Sequence, residues 1–259
     1  MLHSFFPLDK DWCITHILER FKPKDQKIFN IAWDGFSYQS YLYLDFALEM
    51  EPILHNSINN LNLIKKVELR KKLTSLYTIL MLNISDNPIK DYIPNIFLIN
   101  NSIEIIKTFY LELNKYVESL DKIGKEEIFD KWILEFLSNR VNNYPIPLTD
   151  DEKNLILKFL LNFSIDLEKI NLIFEELDKK FSINTALITH IYCEEITIDN
   201  SDIICRVLTT ITNQIKKNTQ NAIPDYIENE LFEIYQKLNK NKCEIKELEK
   251  NLKSINVLN

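Results

Sequence analysis

The chain has 259 residues and a formal net charge of −7 at neutral pH. This acidic balance argues against nonspecific nucleic-acid binding as the main activity, because neutralising phosphates requires a basic surface. The local basic clusters at 65–72 and 237–246 are interpreted as solvated helix faces. The sequence contains two glycines, Gly35 and Gly124, so the glycine-rich phosphate loops and nucleophile elbows of many enzymes cannot be built. Few glycines also means few tight hairpin turns, which favours an all-α fold.

Cysteine spacing and hydropathy narrow the class of protein further. The four cysteines include no CxxC pair, which indicates neither a disulfide framework nor a zinc knuckle. The apolar runs are far shorter than the roughly 18 residues of a membrane span. The first residues lack the basic and apolar regions of a signal peptide. We therefore expect a soluble cytoplasmic protein that makes no membrane contact and needs no cofactor or metal.

In chain order, the apolar periodicity predicts helices separated by short polar or proline turns. Gly35 interrupts the second of these helices, and a strongly apolar segment follows at 38–50. We expect Pro52 in the first turn of the next helix, where its missing N–H costs nothing. Pro94 is expected to mark a later break. In this half of the chain, helices are predicted at 10–20, 25–33, 52–61, 65–83 and 102–120.

The most strongly patterned stretch is Phe129–Phe163, which predicts a helix, a rigid connector and a second helix. Trp132 lies on the apolar stripe of the first helix, and Arg140 lies at the edge of that stripe or away from it. Pro145 and Pro147 prevent the helix from continuing, because each removes a backbone donor and disfavours the helical conformation of the preceding residue. The stretch therefore predicts a structural scaffold that fixes the angle between two helices.

Capping signals mark where the following helices begin. Thr149 and Glu152 have the spacing of a capping box, in which the Thr149 hydroxyl caps the helix and the Glu152 side chain reaches back. Residues 200–202 are expected to cap a later helix. Pro224 is expected to open the last helix.

These helices predict an all-α protein made of stacked helical hairpins, either an irregular HEAT-like repeat or an α-solenoid. No self-similarity of fixed period names a particular repeat. We predict an N-terminal helical subdomain at 1–123 and a C-terminal helical subdomain at 124–259. In the alternative arrangement, both pack as one domain.

The C-terminal segment 225–258 has a pattern of its own. Apolar residues recur at 4-3 spacing over about four heptads, with one polar residue in the seam, which is typical of a coiled-coil-like interface. The alternative is a helical hairpin that turns at 239–242 and packs on its own domain. In either arrangement this segment is the predicted surface for self-association or for docking a partner. The predicted contact residues are Ile234, Leu238, Asn241, Ile245, Leu248, Leu252 and Ile255.

No catalytic site is predicted. His190 and Cys193 lie three positions apart on one helical face. A metal site would need further ligands, and the other histidines are distant in sequence. The paired acids at 150–151 lie at a helix start, where capping and the helix dipole explain them.

The run Ala32–Phe36, which contains Trp33 and Gly35, resembles the aromatic-x-Gly-Phe helix of large bacterial defence proteins. The second part of the resemblance consists of Trp132, Arg140, Pro145, Pro147 and Glu152. This order is similar to the W…R…P-x-P-L…E series in a helical C-terminal domain of uncharacterised function, which follows a sirtuin-like NADase domain in some antiphage proteins. The resemblance extends from about Trp12 to Leu238.

The resemblance implies a sensing or assembly module and transfers no catalytic residue. The glycine-rich cofactor loop of a sirtuin-like domain is absent, so we expect any enzymatic partner on another polypeptide. The predicted function is therefore that of a non-enzymatic interaction protein in an antiphage system, which binds an effector enzyme or a phage protein. One alternative is an immunity protein or antitoxin whose acidic surface neutralises a basic toxin. Another is an enzyme that uses His190, Glu194 or Glu195.

Overall fold

A computed structural model describes residues 8–36, 44–99, 102–164, 166–179, 181–218, 223–241 and 245–258. These residues form helices and no strand, which confirms the all-α prediction. The chain divides into two compact units, Met1–Tyr116 and Val117–Asn259, where the sequence suggested a boundary between 123 and 124. The arrangement of the helices as a repeat stays a prediction. Among the described residues, no helix combines the length and apolarity needed to cross a bilayer.

The first unit opens with a helical run that changes its hydrogen-bonding pattern twice. It is α-helical, then π-helical, then 3-10 helical over Lys10–Trp12, Cys13–Ile17 and Leu18–Phe21. Asp9 caps this run, because its carboxylate accepts from the Trp12 backbone N–H at 2.9 Å. Asp25 likewise accepts from the backbone N–H of Ile28 at 3.1 Å, at the start of the next helix.

The remaining helices of this unit are longer. They are α1 (Gln26–Phe36), α2 (Leu44–Asn59), α3 (Val67–Ile84), α4 (Ile93–Ile99) and α5 (Ile103–Glu118). A 3-10 turn at Leu61–Leu63 precedes α3, and a single α-helical turn at Pro88–Asp91 precedes α4. The helix α2 packs on α3 and α4, and α1 packs on the 3-10 turn Leu18–Phe21.

Of the two prolines singled out in this unit, Pro52 lies differently from its prediction and Pro94 lies as predicted. Pro52 lies inside α2, which continues from Leu44 to Asn59 instead of starting anew at Pro52. A proline in a helix interior removes a backbone bond, and burial of the neighbouring Met50 and Leu54 offsets that cost. Pro94 marks a break as predicted: the helical turn before it ends at Asp91, and Pro94 lies in the first turn of α4, where its missing N–H has no helical partner to lose. Residues 38–43 of the predicted apolar segment lie outside the described residues.

The second unit contains eight labelled α-helices among its described residues. They are α6 (Lys122–Ile128), α7 (Leu134–Val141), α8 (Asp150–Leu160), α9 (Asn171–Leu177), α10 (Ala186–Cys193), α11 (Ile198–Lys217), α12 (Asp225–Lys240) and α13 (Lys246–Ser254). A π-helical turn at Phe129–Ile133 joins α6 to α7, and a 3-10 turn at Leu167–Ile170 leads into α9. Three pairs of helices pack together: α7 with α9, α10 with α12, and α11 with α13.

The start of α11 corrects another prediction. The sequence placed the cap at 200–202, but the helix begins at Ile198 and its N-cap is Thr197. Asn200 takes the reciprocal position of a capping box, where its side-chain oxygen accepts from the Thr197 backbone N–H at 2.8 Å. The capping residue was misplaced because Asn is a favoured N-cap residue type, whereas Asn200 occupies the N3 position of the box here.

Candidate functional site

The most fully buried ion pair of the second unit lies where α7 meets α8. Arg140 and Glu152 are both fully buried. The Arg140 Nε donates to one Glu152 carboxylate oxygen and its Nη2 donates to the other, both at 2.7 Å. This is the bidentate arrangement, in which two parallel charge-assisted bonds join a guanidinium to a carboxylate.

The same guanidinium also holds the connector between the two helices. Its Nη1 donates to the Tyr144 carbonyl at 2.5 Å and to the Ile146 carbonyl at 2.9 Å. The carbonyls belong to the Tyr-Pro-Ile-Pro segment, and the peptide bond before Pro145 is cis. We call this set, Arg140 with Glu152 and the two carbonyls, the Arg140 clamp. It joins the last turn of α7, the connector and the first turn of α8.

The Thr149 prediction is confirmed in one half of the capping box. The Thr149 hydroxyl accepts from the Glu152 backbone N–H at 3.2 Å and begins α8. The other half is corrected, because both Glu152 carboxylate oxygens face Arg140 where a bond back to Thr149 was expected. A buried guanidinium requires a counter-charge, and this demand outweighs the modest gain from completing a cap.

The aromatic residues of the family resemblance also lie in packed positions. Trp33 is fully buried, and its ring packs edge-to-face against Phe21 and Phe36 at 4.7 and 5.5 Å between centroids. Trp132 is 7% exposed and packs near Phe136. Gly35 is not required by crowding, because a Cβ added there would meet no atom within 4 Å. Trp33 and Trp132 are therefore part of the cores of their own units, whereas Gly35 is exposed.

The C-terminal seam, predicted as a partner surface, is largely internal to its own unit. The helix α12 packs on α10 and α13 packs on α11, so each apolar stripe faces a helix of the same chain. Four of the predicted contact residues are no more than 1% exposed: Ile234, Leu238, Leu248 and Leu252. The coiled-coil-like prediction is therefore corrected for these residues in favour of packing on their own domain. Regular 4-3 spacing identifies an apolar stripe, but it does not show whether the stripe packs on a helix of the same chain or on another chain.

The other three seam residues lie at helix ends. Asn241 ends α12, and its side-chain amide donates to the Ile196 carbonyl at 3.4 Å. Ile245 and Ile255 flank α13 and are half-buried. Self-association through α12 stays a prediction, and it would use the exposed face of this helix rather than the seam.

His190 and Cys193 lie at the end of α10. The His190 Nε2 is 3.6 Å from the Glu194 carboxylate, and Cys193 is exposed. Burial lowers the pKa of His190, with a smaller contribution from Lys158, while Glu194 and Glu118 act in the opposite direction. The lowered pKa favours the neutral imidazole. Within the described part of the chain, no group of three or more His, Cys, Asp or Glu side chains is arranged to hold a metal ion.

A polar cluster that the sequence reasoning missed joins α2, α3 and α4. The His55 Nδ1 lies 2.9 Å from the Tyr77 hydroxyl, and its Nε2 lies 3.0 Å from the Asn95 side-chain amide. The neighbouring Tyr92 hydroxyl donates to the Glu51 carboxylate. Burial raises the pKa of both tyrosines, and for Tyr92 the bond to Glu51 adds to this effect.

The two ring nitrogens of His55 contact different helices: Nδ1 pairs with the Tyr77 hydroxyl of α3 and Nε2 with the Asn95 side-chain amide of α4. Both ring nitrogens are thereby engaged, and both tyrosines are held neutral. The cluster consequently stabilises the junction of three helices. No sequence motif could reveal it, because its members come from three separate helices.

Two of the charged surface cavities illustrate different balances of charge. One, of about 370 Å³ in the second unit, brings lysines and acids together in pairs. Lys169 lies 2.9 Å from Asp130, and Lys122 lies 3.5 Å from Asp199.

The second cavity, of about 420 Å³ in the first unit, lies between α1 and the start of α3. We call it the α1–α3 groove; its lining residues are Gln26, Lys27, Asn30, Ile31, Asp34, Lys65, Lys66 and Leu69.

The two basic clusters of the sequence have different surroundings. The 65–72 cluster contributes Lys65 and Lys66 to the α1–α3 groove. In the 237–246 cluster, the Lys237 ammonium lies 5.0 Å from the centre of the Tyr192 ring and 3.5 Å from the Tyr192 carbonyl. Lys237 is thereby held against its own unit, whereas Lys65 lies in an open groove.

Comparison with family models found no match to the chain, and comparisons with curated proteins and with solved structures found no significant similarity. The resemblance to a sirtuin-associated helical domain therefore stays a prediction.

Proposed function

We propose that this protein is a non-enzymatic helical interaction protein, acting in the cytoplasm as a sensing or assembly subunit of a bacterial antiphage system. It binds an effector enzyme on a separate chain or a phage protein. The antiphage context rests on the resemblance carried by Trp33, Gly35 and the residues from Trp132 to Glu152. The interaction role rests on the geometry of the polar clusters.

The observation that carries the proposal is the Arg140 clamp. Arg140 and Glu152 are fully buried and bonded to each other, and Arg140 is also bonded to the connector. The His55 cluster is likewise engaged within its own helices. Polar groups committed in this way stabilise a scaffold and are not free to act on a substrate.

The exposed surface of the first unit also supports the proposed interaction role. Exposed aliphatic side chains lie there beside charged side chains, a combination found at surfaces that bind proteins. In the first unit, Ile28, Ile31 and Val67 are each more than a third exposed, and all lie in or next to the α1–α3 groove.

The test is purification of the tagged full-length protein from its native host, before and after phage infection, with quantitative mass spectrometry of what accompanies it. We expect a protein partner in stoichiometric amount that changes with infection, and no stoichiometric metal in the purified protein. A stoichiometric metal or cofactor together with turnover would overturn the proposal in favour of an enzyme that uses His190, Glu194 or Glu195.

The second candidate is an inhibitory protein, either an immunity protein or an antitoxin. The observation that favours it is the net charge of −7, since an acidic surface complements a basic toxin. Co-expression with the products of neighbouring genes distinguishes the antiphage subunit from the inhibitory protein. Rescue of growth from a toxic neighbour supports inhibition, whereas a neighbouring NADase or nuclease that is active with this protein supports the antiphage subunit.

A further inference from the structure

The α1–α3 groove has walls that are fixed by hydrogen bonds. The side-chain amides of Gln26 and Asn30 both donate to the Leu63 carbonyl at 3.2 Å, which ties α1 to the turn before α3. Lys66 and Asp34 form an ion pair across the two walls at 2.6 Å. The groove is therefore formed before any partner arrives, which lowers the entropic cost of binding.

The groove exposes aliphatic surface. Ile31 lies in it and is 62% exposed, and Ile28 lies one helical turn earlier on the same face. Val67 follows directly after the lining residue Lys66 and is also exposed. Leu69 forms a buried part of the lining. Grouped aliphatic side chains at a concave surface are suited to an apolar side chain of a partner.

The rim of the groove is basic although the chain as a whole is acidic. Its lining contains three lysines and one carboxylate, Asp34. Because Asp34 is paired with Lys66, the charges of Lys27 and Lys65 are left uncompensated within the lining. Complementary charge selects a partner that carries carboxylates beside its apolar side chains.

We infer that the α1–α3 groove binds an acidic amphipathic peptide segment of a partner protein. Apolar side chains of the segment pack on Ile31, and its carboxylates pair with Lys27 and Lys65. The inference rests on the proposed interaction function and names the chemistry of its partner. An amphipathic helix laid in an apolar groove is a common mode of peptide recognition.

Nucleic acid fits this groove less well than a peptide does. Proteins that bind single strands stack the bases on aromatic rings, and the lining of the groove is aliphatic and polar. Binding through phosphates alone needs a broad basic surface, whereas the groove has two uncompensated lysines. The aliphatic floor and basic rim together favour an acidic peptide.

The test is fluorescence anisotropy with the full-length protein and labelled synthetic peptides. The probe presents leucines on one helical face with glutamates beside them. One companion peptide has lysines in place of the glutamates, and another has serines in place of the leucines. We expect saturable binding of the probe alone, weakened by added salt because the rim is exposed.

Variants test whether the acidic probe peptide binds in the α1–α3 groove. We expect Lys65→Glu and Ile31→Glu each to weaken binding of the probe by about tenfold or more, equivalent to roughly 1.4 kcal/mol. Both positions are exposed, so the variants should fold, and the unfolding curve of each variant checks this. Lys90→Glu is the charge-matched control, because Lys90 is exposed in the same unit and lies outside the groove lining; it should leave binding unchanged.

Several outcomes overturn the inference. They are equal binding of all three peptides, no binding of the acidic probe, equal loss in Lys90→Glu, and displacement of the probe by single-stranded oligodeoxythymidine. If the wild type and Lys65→Glu recover a native partner equally well, the groove is not the binding site, but the proposed interaction function stands. If the wild type recovers no partner at all, the proposed function fails instead.

Discussion

Two ion pairs of this protein each join a basic side chain to a carboxylate, and their surroundings are opposite. Arg140 and Glu152 have side chains that are both 0% exposed, whereas Lys66 and Asp34 have side chains that are 64% and 38% exposed. The buried pair also binds two backbone carbonyls, and the exposed pair lies in an open groove beside Ile31. One pair joins helices, and the other is placed where a partner can reach it.

The difference shows why a conspicuous sequence motif need not be a functional site. Burying two charges carries a large desolvation penalty, so a buried pair persists when its remaining hydrogen-bonding groups are also satisfied. Arg140 meets this condition and is thereby closed to any ligand. An exposed pair has a small desolvation penalty and a small net energy, so its lysine can exchange one carboxylate for another at little cost.

The largest expected effect is on the buried pair. Glu152→Ala leaves the Arg140 guanidinium buried without a counter-charge, and we expect a loss of about 3–5 kcal/mol in the free energy of unfolding. Urea denaturation measures it. Glu135→Ala is the matched control, because Glu135 is exposed on α7 and should cost no more than about 0.5 kcal/mol. A Glu152→Ala variant as stable as the control would contradict the clamp.

The second prediction concerns the C-terminal seam. Leu252→Ala removes a buried side chain that is 1% exposed, and we expect a loss of about 2–5 kcal/mol in unfolding free energy from lost burial and a cavity. The mass in solution should not change, since this side chain packs within its own unit. Phe232→Ala, on the exposed side of α12, is the control and should be nearly neutral. A change in oligomeric mass with little loss of stability would restore the seam as an interface.

The third prediction concerns pH. Burial raises the folded-state pKa of Tyr77 and Tyr92 above the unfolded value of about 10. The folded state therefore binds more protons above that pH, so unfolding free energy is independent of these groups below about pH 10 and falls above it, by at most roughly 1.4 kcal/mol per pH unit for each tyrosine. Tyr92→Phe should show a shallower fall between about pH 10 and pH 11. Identical slopes for wild type and variant would remove Tyr92 as a cause.

The smallest expected effect is on the exposed pair. Lys66→Ala breaks the ion pair with Asp34, yet both side chains are solvated, so we expect a change of at most about 1 kcal/mol in unfolding free energy. The same denaturation experiment at low and high salt measures it. A loss of unfolding free energy as large as that of Glu152→Ala would contradict the proposed difference between the two ion pairs.

Local signals predicted local structure well. The two prolines of the connector and the Thr149 cap predicted the end of one helix and the start of the next, because backbone donors and capping oxygens act within a few residues. The structural role of Arg140 was also inferred. The identity of its partner was not, because Glu152 satisfied a local motif and a tertiary charge requirement at once, and burial decided between them.

The periodicity of apolar residues did not predict which helices pack against each other. The 4-3 ladder of the C-terminal segment was identified, but the stripe containing Leu238 faces α10 of the same unit. Pro52 was expected to begin a helix, and packing of the helix on both sides of it prevailed instead. Of the groove residues, Ile31 lies on α1 and Lys65 lies in the segment just before α3, so spacing within one helix could not bring them together.

The most direct test of the central claim, that the strongest sequence motif is a structural clamp, is a double-mutant cycle on the Arg140 pair. Urea unfolding is measured for the wild type, Arg140→Ala, Glu152→Ala and the double variant. We predict that the single losses do not add, with a coupling energy of about 2–3 kcal/mol, because each single variant strands the other charge in the interior. Losses that add to within about 0.5 kcal/mol would contradict the clamp.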